Sequence, residues 1–92
     1  MRYAARTDAN HAEIKRAIEA LGFKVQDMKS VGGGFPDLCV GVPKIGNVLL
    51  EIKTKTGKPN KLQEKWHSEW TGHSFIVHSI EEALDAIGVN DD

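Results

Sequence analysis

The sequence has little of what defines several common classes of protein. Only one of its 92 residues, Cys39, is a cysteine, which excludes an intramolecular disulfide and a zinc site built from several cysteines. No apolar run approaches the roughly 18 residues of a membrane span. The first residues include Arg2, Arg6 and Asp8 and no apolar segment, so we expect no secretory signal. A reducing, cytoplasmic setting is therefore expected.

Several signatures of catalytic or cofactor sites are also missing. The glycines at 32–34 are followed by Phe35-Pro36 and not by a helix, so they do not form a G-x-x-x-x-G-K-[ST] phosphate loop. No nucleophile–His–Asp arrangement stands out. Four histidines lack metal-ligand spacing with cysteine, and we expect them to be structural or on the surface: His11, His67, His73 and His78. No organic cofactor is expected.

Length and charge limit the organisation of the chain. A chain of 92 residues is expected to form one domain over 1–92, with its core at about 8–87. Such a domain buries only roughly 60–65% of its unfolded surface, which makes a homodimer worth considering. The net charge is −1, yet five lysines stand against one acid, Glu64, over residues 53–65. These lysines either attract phosphates by counterion release or form a solvated loop.

Hydrophobic periodicity predicts three helices. A first helix over about 7–21, started by Thr7 or Asp8, would bury the residues repeated at helical spacing, which are Ile14, Ala17, Ile18 and Leu21. A second helix over about 60–71 starts with the capping-box pattern of Asn60 and Gln63. Its apolar stripe consists of Leu62, Trp66 and Trp70. We expect this stripe to belong to the core, with base stacking as the alternative for the two tryptophans. A last helix starts after Ser79 and ends at Gly88.

Four strands are predicted between these helices, at about 23–28, 36–42, 47–54 and 74–78. The element order is then α-β-β-β-α-β-α. The connection from the third strand through the second helix to the fourth is long enough for a parallel pair. The sequence therefore predicts an α/β fold with a mixed central sheet flanked by helices.

Ionisable side chains lie on two of these otherwise apolar strands. Because side chains alternate between the two faces of a strand, Glu51 and Lys53 share one face of the third strand, and Asp37 lies on the polar face of the second. Pairing Val42 with Val48 would place Asp37 opposite Lys53. A register shifted by two would place Asp37 opposite Glu51. Either register lets the two carboxylates converge.

Two converging carboxylates beside a lysine are consistent with a Mg²⁺ or Mn²⁺ site. These ions prefer oxygen ligands and retain several waters, and they make a bound water easier to deprotonate. The lysine would orient the attacking water or stabilise negative charge developing on phosphorus. The alternative is a buried Asp–Lys–Glu salt-bridge cluster without a catalytic role.

These residues resemble a known nuclease motif. The segment Gly34-Phe35-Pro36-Asp37-Leu38, followed by Glu51-Ile52-Lys53, resembles the PD-(D/E)XK motif. With Glu13 on the first helix and Gln63 on the second, the pattern is most similar to the virus-type replication–repair nuclease domain, VRR-NUC. The resemblance covers roughly 8–87 and implies a restriction-endonuclease-like αβββαβ core. It implies a metal-dependent DNA endonuclease.

The resemblance also assigns roles to individual residues. Asp37 and Glu51 would bind the metal, with the Ile52 carbonyl as a third ligand and Glu13 reaching it directly or through water. Lys53 would be the catalytic lysine. Gln63 would be catalytic, although a capping box explains it without chemistry. The remaining lysines of the basic segment are candidates for DNA binding: Lys55, Lys58, Lys61 and Lys65.

Substrate and assembly are further implications of the resemblance. Domains of this type and size suggest homodimers that act on branched or four-way junction DNA in viral or mobile-element replication and repair. Two other readings of the sequence stay open. One is a non-catalytic nucleic-acid-binding module of the same fold. The other is a structural α/β domain with a salt-bridge cluster.

Overall fold

A computed structural model describes residues 2–89 of the chain, and their side chains from residue 9 onward. The elements follow the predicted order: α1 Arg2–Ala20, β1 Val25–Asp27, β2 Leu38–Val42, β3 Gly46–Ile52, α2 Lys61–Glu69, β4 His73–Val77 and α3 Ile80–Ala86. The predicted bounds of the four strands and of α2 differ from these by one or two residues. None of the helices in this part of the chain is both long and apolar enough to span a membrane.

The sheet is mixed, with strand order β1-β2-β3-β4. Strand β2 is antiparallel to both β1 and β3. Strands β3 and β4 are parallel, as the long crossover predicted. Leu38 pairs with Leu50 and Val42 with Gly46, which is the second of the two registers that the sequence left open, shifted by two residues from the pairing of Val42 with Val48. The turn is tighter than expected because Gly46 has a φ of 105°, a conformation that glycine adopts readily. Continued by one residue beyond Leu38 and Leu50, this register places Asp37 opposite Glu51.

One face of the sheet carries the core. Helices α1 and α3 contact each other, and α3 contacts β4, covering the aliphatic side chains of the sheet. The largest fully buried side chains of this core are Ile14, Ile18, Leu38, Leu50, Ile87, Val40, Val48 and Val77. The alternation that places Val48, Leu50 and Ile52 in the core leaves Glu51 on the opposite face.

Helix α1 differs from its prediction at both ends. It begins at Arg2, so Thr7 and Asp8 lie inside the helix and are not its caps. Ala4 and Ala5, which have high helix propensity, explain the earlier start. At the other end Leu21 lies beyond the helix and is 52% exposed, because the chain turns at Gly22 with a φ of 97°.

Helix α2 covers the opposite face of the sheet and has no buried residue. The prediction that its apolar stripe belongs to the core is therefore wrong: Leu62 is 56% exposed and Trp70 44%. The helix contacts the sheet through polar side chains, since Gln63 bonds to Glu51 and His67 lies 3.0 Å from the Ser74 hydroxyl. These polar contacts turn the apolar stripe away from the core.

Candidate active site

The aspartate of the site is fixed at the entrance to β2. Pro36 before it is fully buried, and Oδ2 of Asp37 accepts a hydrogen bond of 2.9 Å from the backbone N–H of Ile52. Since Ile52 follows Glu51, this bond ties the Asp37 carboxylate to the strand that carries the second acid. The two carboxylates therefore converge, as strand alternation predicted.

Glu51 is a buried carboxylate with an incomplete set of partners. Its residue is 2% exposed. Oε2 accepts a hydrogen bond of 2.9 Å from Nε2 of Gln63 and lies 3.5 Å from Nζ of Lys53. Oε1 is buried and has no hydrogen-bond partner among the described residues. Buried polar atoms are normally paired, so this oxygen, next to a second carboxylate, fits a site for a divalent cation, which prefers such oxygen ligands.

The surroundings of Glu51 also change its proton affinity. Burial, and then the neighbouring Asp37 carboxylate, raise the pKa of Glu51 to about 7, although Lys53 lowers it in part. Both effects disfavour the negative charge, because it is removed from water and lies beside a like charge. A bound cation would favour the ionised form and would bring the pKa back down.

This raised pKa predicts a pH-dependent stability of the metal-free protein. An unfolded glutamate, with a pKa near 4.5, releases its proton more readily than the folded one. Stability should therefore fall between pH 4.5 and 7 as Glu51 is forced to ionise, by an amount on the order of 3 kcal/mol. Urea unfolding in EDTA should show this loss for the wild type. Glu51→Gln should lose much less, and parallel curves for the two proteins would contradict the assignment.

Lys53 lies beside the two acids, as the sequence predicted. Its backbone N–H donates to the Val77 carbonyl at 2.9 Å, and its carbonyl accepts a 3.0 Å bond from Nδ2 of Asn10. Its side chain is 20% exposed, so the ammonium group borders both Glu51 and solvent. Sequence reasoning missed Asn10, because no local pattern signals a contact between residues 43 positions apart.

Gln63 is a helix cap and also contacts Glu51, while its catalytic role stays a prediction. Its Oε1 accepts from the Asn60 N–H at 2.9 Å and its N–H donates to Asn60 Oδ1 at 2.8 Å, which completes a capping box at the start of α2. Its Nε2 donates to Glu51. The capping box thus orients the amide that contacts the buried carboxylate.

Two substitutions separate these roles. Gln63→Ala should reduce DNA cleavage by about 10- to 100-fold, the usual effect of losing a group that orients a metal ligand. Asn60→Ala is the matched control, because it removes the other side chain of the box and leaves the bond to Glu51. Both should lower helix stability by about 1 kcal/mol. If the two variants cleave DNA at the same rate when the same fraction of each is folded, Gln63 acts only as a helix cap.

Two predicted metal ligands stay predictions. Glu13 is exposed on α1, one turn beyond Asn10 and therefore on the same side of the helix. Within residues 9–89 no three or more His, Cys, Asp or Glu side chains are grouped closely enough to hold a metal, so the converging pair consists of Asp37 and Glu51. The Ile52 backbone lies next to Asp37, and the role of its carbonyl as a ligand is not tested.

The lysines predicted to bind DNA are Lys55, Lys58, Lys61 and Lys65, and all four are exposed. Lys65 also pairs with Glu69 at 2.7 Å across one helical turn, an exposed contact that contributes little to stability. Their role in DNA binding stays a prediction.

Three of the histidines make identifiable contacts. His78 lies 3.0 Å from both the Gly57 carbonyl and the Glu82 carboxylate. Its hydrogen bonds to Glu82 lower the pKa of that carboxylate. His67 contacts Ser74, and burial lowers its pKa. His11 is buried and lies 3.7 Å from the Asp27 carboxylate. These contacts connect neighbouring elements.

The sheet order, the helices on both faces and the acid–acid–lysine group fit a nuclease-type domain. The sequence model of the VRR-NUC domain family matches residues 3–81, and the chain belongs to that family. A solved structure of a VRR-NUC domain is similar to this chain, with a TM-score of 0.70 and 25% identity over 88% of this chain and 92% of that one. No curated protein sequence matches at a significant level.

Proposed function

We propose that this domain hydrolyses DNA phosphodiester bonds in the presence of Mg²⁺ or Mn²⁺. The observation that carries the proposal is the buried, unpartnered Oε1 of Glu51, on a side chain whose pKa is raised by burial and by Asp37. Without a cation, replacing one of these acids with a neutral residue would make the protein more stable. A cation between them gives both charges a function.

The chain's own residues divide the work. Asp37 and Glu51 would hold the ion, with Glu13 and the Ile52 carbonyl as the further ligands that the family resemblance implies. When bound, such an ion supplies Lewis-acid polarisation of the phosphodiester and acidifies water. Lys53, 3.5 Å from Glu51, would orient the attacking water or stabilise the charge that develops on phosphorus. Gln63 keeps Glu51 in position, and the exposed lysines would attract the DNA backbone.

Branched or four-way junction DNA is the proposed substrate, in viral or mobile-element replication and repair. A homodimer would suit this substrate, because each chain carries one acid pair and a junction is resolved by cutting two strands. Both points come from the family resemblance. The choice of substrate is tested by comparing cleavage of a four-way junction with cleavage of its linear arms at equal concentration.

A non-catalytic nucleic-acid-binding module of the same fold is the second candidate. The exposed lysines and the exposed Trp70 at the end of α2 favour it, since both suit nucleic-acid binding without chemistry. The retained buried Glu51 argues against it. Incubation of supercoiled plasmid and junction DNA with Mg²⁺, Mn²⁺ or EDTA separates the candidates: metal-dependent cleavage supports the nuclease, and binding without cleavage in any metal supports the module.

A further inference from the structure

Three aromatic side chains form an open surface beside the candidate active site. This aromatic surface consists of Phe35, Trp66 and Trp70. The two indoles stack with centroids 4.7 Å apart and planes 18° apart, and Phe35 meets them edge-on at 5.1 and 6.4 Å. Since Trp66 covers one face of Trp70, the 44% exposure of Trp70 comes from its other face and its edges. Exposed apolar patches of this kind mark interaction sites.

Two glycines fix the shape of the aromatic surface. A Cβ on Gly34 would lie 2.9 Å from the Leu62 carbonyl oxygen and 3.2 Å from Cβ of Trp66. A Cβ on Gly72 would lie 2.8 Å from Nε1 of Trp70. Gly34 must stay glycine, because its φ is 88° and the Leu62 backbone leaves no room for a side chain. At Gly72 a side chain would displace the indole of Trp70.

The aromatic surface belongs to the same two segments that carry the site. Phe35 stands two residues before Asp37. Trp66 lies three residues after Gln63, which donates to Glu51, and an α-helix rises about 1.5 Å per residue, so the two backbone positions are about 4.5 Å apart along the axis. Phe35 and Trp66 therefore lie near the carboxylate pair. Trp70, seven residues after Gln63, lies about 10 Å along the axis and forms the outer end of the surface.

The basic segment that leads into α2 favours nucleic acid as the ligand of the aromatic surface. Lys55, Lys58 and Lys61 of this segment are exposed. Along α2 itself the charges balance, because Glu64 and Glu69 accompany Lys61 and Lys65, and Lys65 pairs with Glu69 at 2.7 Å. Aromatic rings beside cations bind single strands, because the bases stack on the rings while the cations follow the phosphates.

We propose that the aromatic surface binds unpaired DNA bases next to the scissile phosphodiester, with Trp70 as the outer stacking platform. The proposal deepens the proposed function, because it takes DNA as the ligand, but it concerns binding and not hydrolysis. It assigns the domain a preference for substrates with unpaired nucleotides beside the cleavage position. A fully paired duplex keeps its bases stacked on each other and offers none to the rings.

Binding without metal tests this assignment. Wild type and variants are titrated in EDTA with a single-stranded oligonucleotide and with the fully paired duplex of the same sequence, each carrying 2-aminopurine. Trp70→Ala should weaken binding of the single strand by roughly 5- to 150-fold, the equivalent of one lost base stack, and change duplex binding by less than about twofold. Trp70→Phe, which keeps a ring, should restore most of the affinity. Phe75→Ala is the matched control, because Phe75 is 41% exposed on the other face of the sheet.

Three outcomes would overturn the assignment: an equal loss for both probes, no loss for either, or a loss with Phe75→Ala as large as that with Trp70→Ala. Sedimentation of the same variants adds a fourth. If Trp70→Ala converts a dimer to a monomer without a selective loss for the single strand, the surface is a subunit contact and the proposal is wrong. A selective loss in a protein that cuts no DNA with Mg²⁺ or Mn²⁺ would support the stacking platform and overturn the proposed hydrolysis.

Discussion

Asp37→Asn is expected to reduce metal-dependent DNA cleavage by about 100- to 10,000-fold, the equivalent of several kcal/mol of lost charge stabilisation. The substitution removes one negative charge from the acid pair. It keeps an oxygen that can accept the hydrogen bond of Ile52, which Oδ2 of Asp37 accepts at 2.9 Å. The local fold should therefore survive. It should also become more stable without metal, because the Asp37 carboxylate is one of the charges that raise the pKa of Glu51.

The measurement is the rate of plasmid nicking with Mg²⁺ or Mn²⁺, with urea unfolding of the same samples. Asp27→Asn is the matched control, since Oδ1 of Asp27 also accepts a backbone N–H, from Lys29 at 2.9 Å. Asp27 pairs with Leu38, so its side chain lies on the opposite face of the sheet from that of Asp37. The control should cut at close to the wild-type rate. A wild-type rate for Asp37→Asn would leave the acid pair as a structural feature.

Lys53→Ala is the second substitution with a large expected effect. Its ammonium group lies 3.5 Å from Glu51, where it can act on water or on the phosphate but is not a metal ligand. We expect cleavage to fall by about 100- to 1,000-fold, as when one preorganised charge-stabilising group is removed. Mn²⁺ binding should persist. Because Lys53 lowers the pKa of Glu51, its removal raises that pKa, so binding should be compared at a pH well above 7.

Calorimetric titration with Mn²⁺ and single-turnover cleavage by the same preparation separate binding from chemistry. Lys55→Ala is the control, because Lys55 has the same chemistry two residues away and is exposed. It should affect cleavage only through weaker DNA binding, which high substrate concentration overcomes. Loss of Mn²⁺ binding in Lys53→Ala would make the lysine a structural partner of Glu51, and an unchanged cleavage rate would remove it from the mechanism.

Local rules predicted much of the site from the sequence. Alternation along two strands placed Asp37, Glu51 and Lys53 on one face, because a mismatched register would bury charge in the core. The capping-box pattern predicted the start of α2, since Asn60 and Gln63 satisfy each other within four residues. These predictions succeeded because each depends on neighbours in sequence or on a strict period of two.

The predictions that failed or stayed open depend on contacts that a local pattern does not contain. The choice between the two registers was left open, because it depends on the conformation of Gly46 in a three-residue turn. Trp66 and Trp70 have helical core spacing, yet α2 meets the sheet through polar contacts and leaves them outside. The bond from Asn10 to Lys53 joins distant segments. Each depends on how elements meet in three dimensions.

Crystals grown with Mn²⁺ and measured at the manganese absorption edge test the central claim most directly. The account predicts an anomalous peak between the carboxylates of Asp37 and Glu51, where the buried Oε1 of Glu51 has no hydrogen-bond partner among the described residues. Glu51→Gln crystals grown in the same way should lack the peak. No density between the two carboxylates, at a Mn²⁺ concentration that supports cleavage in solution, would contradict the assignment of this pair as the metal site.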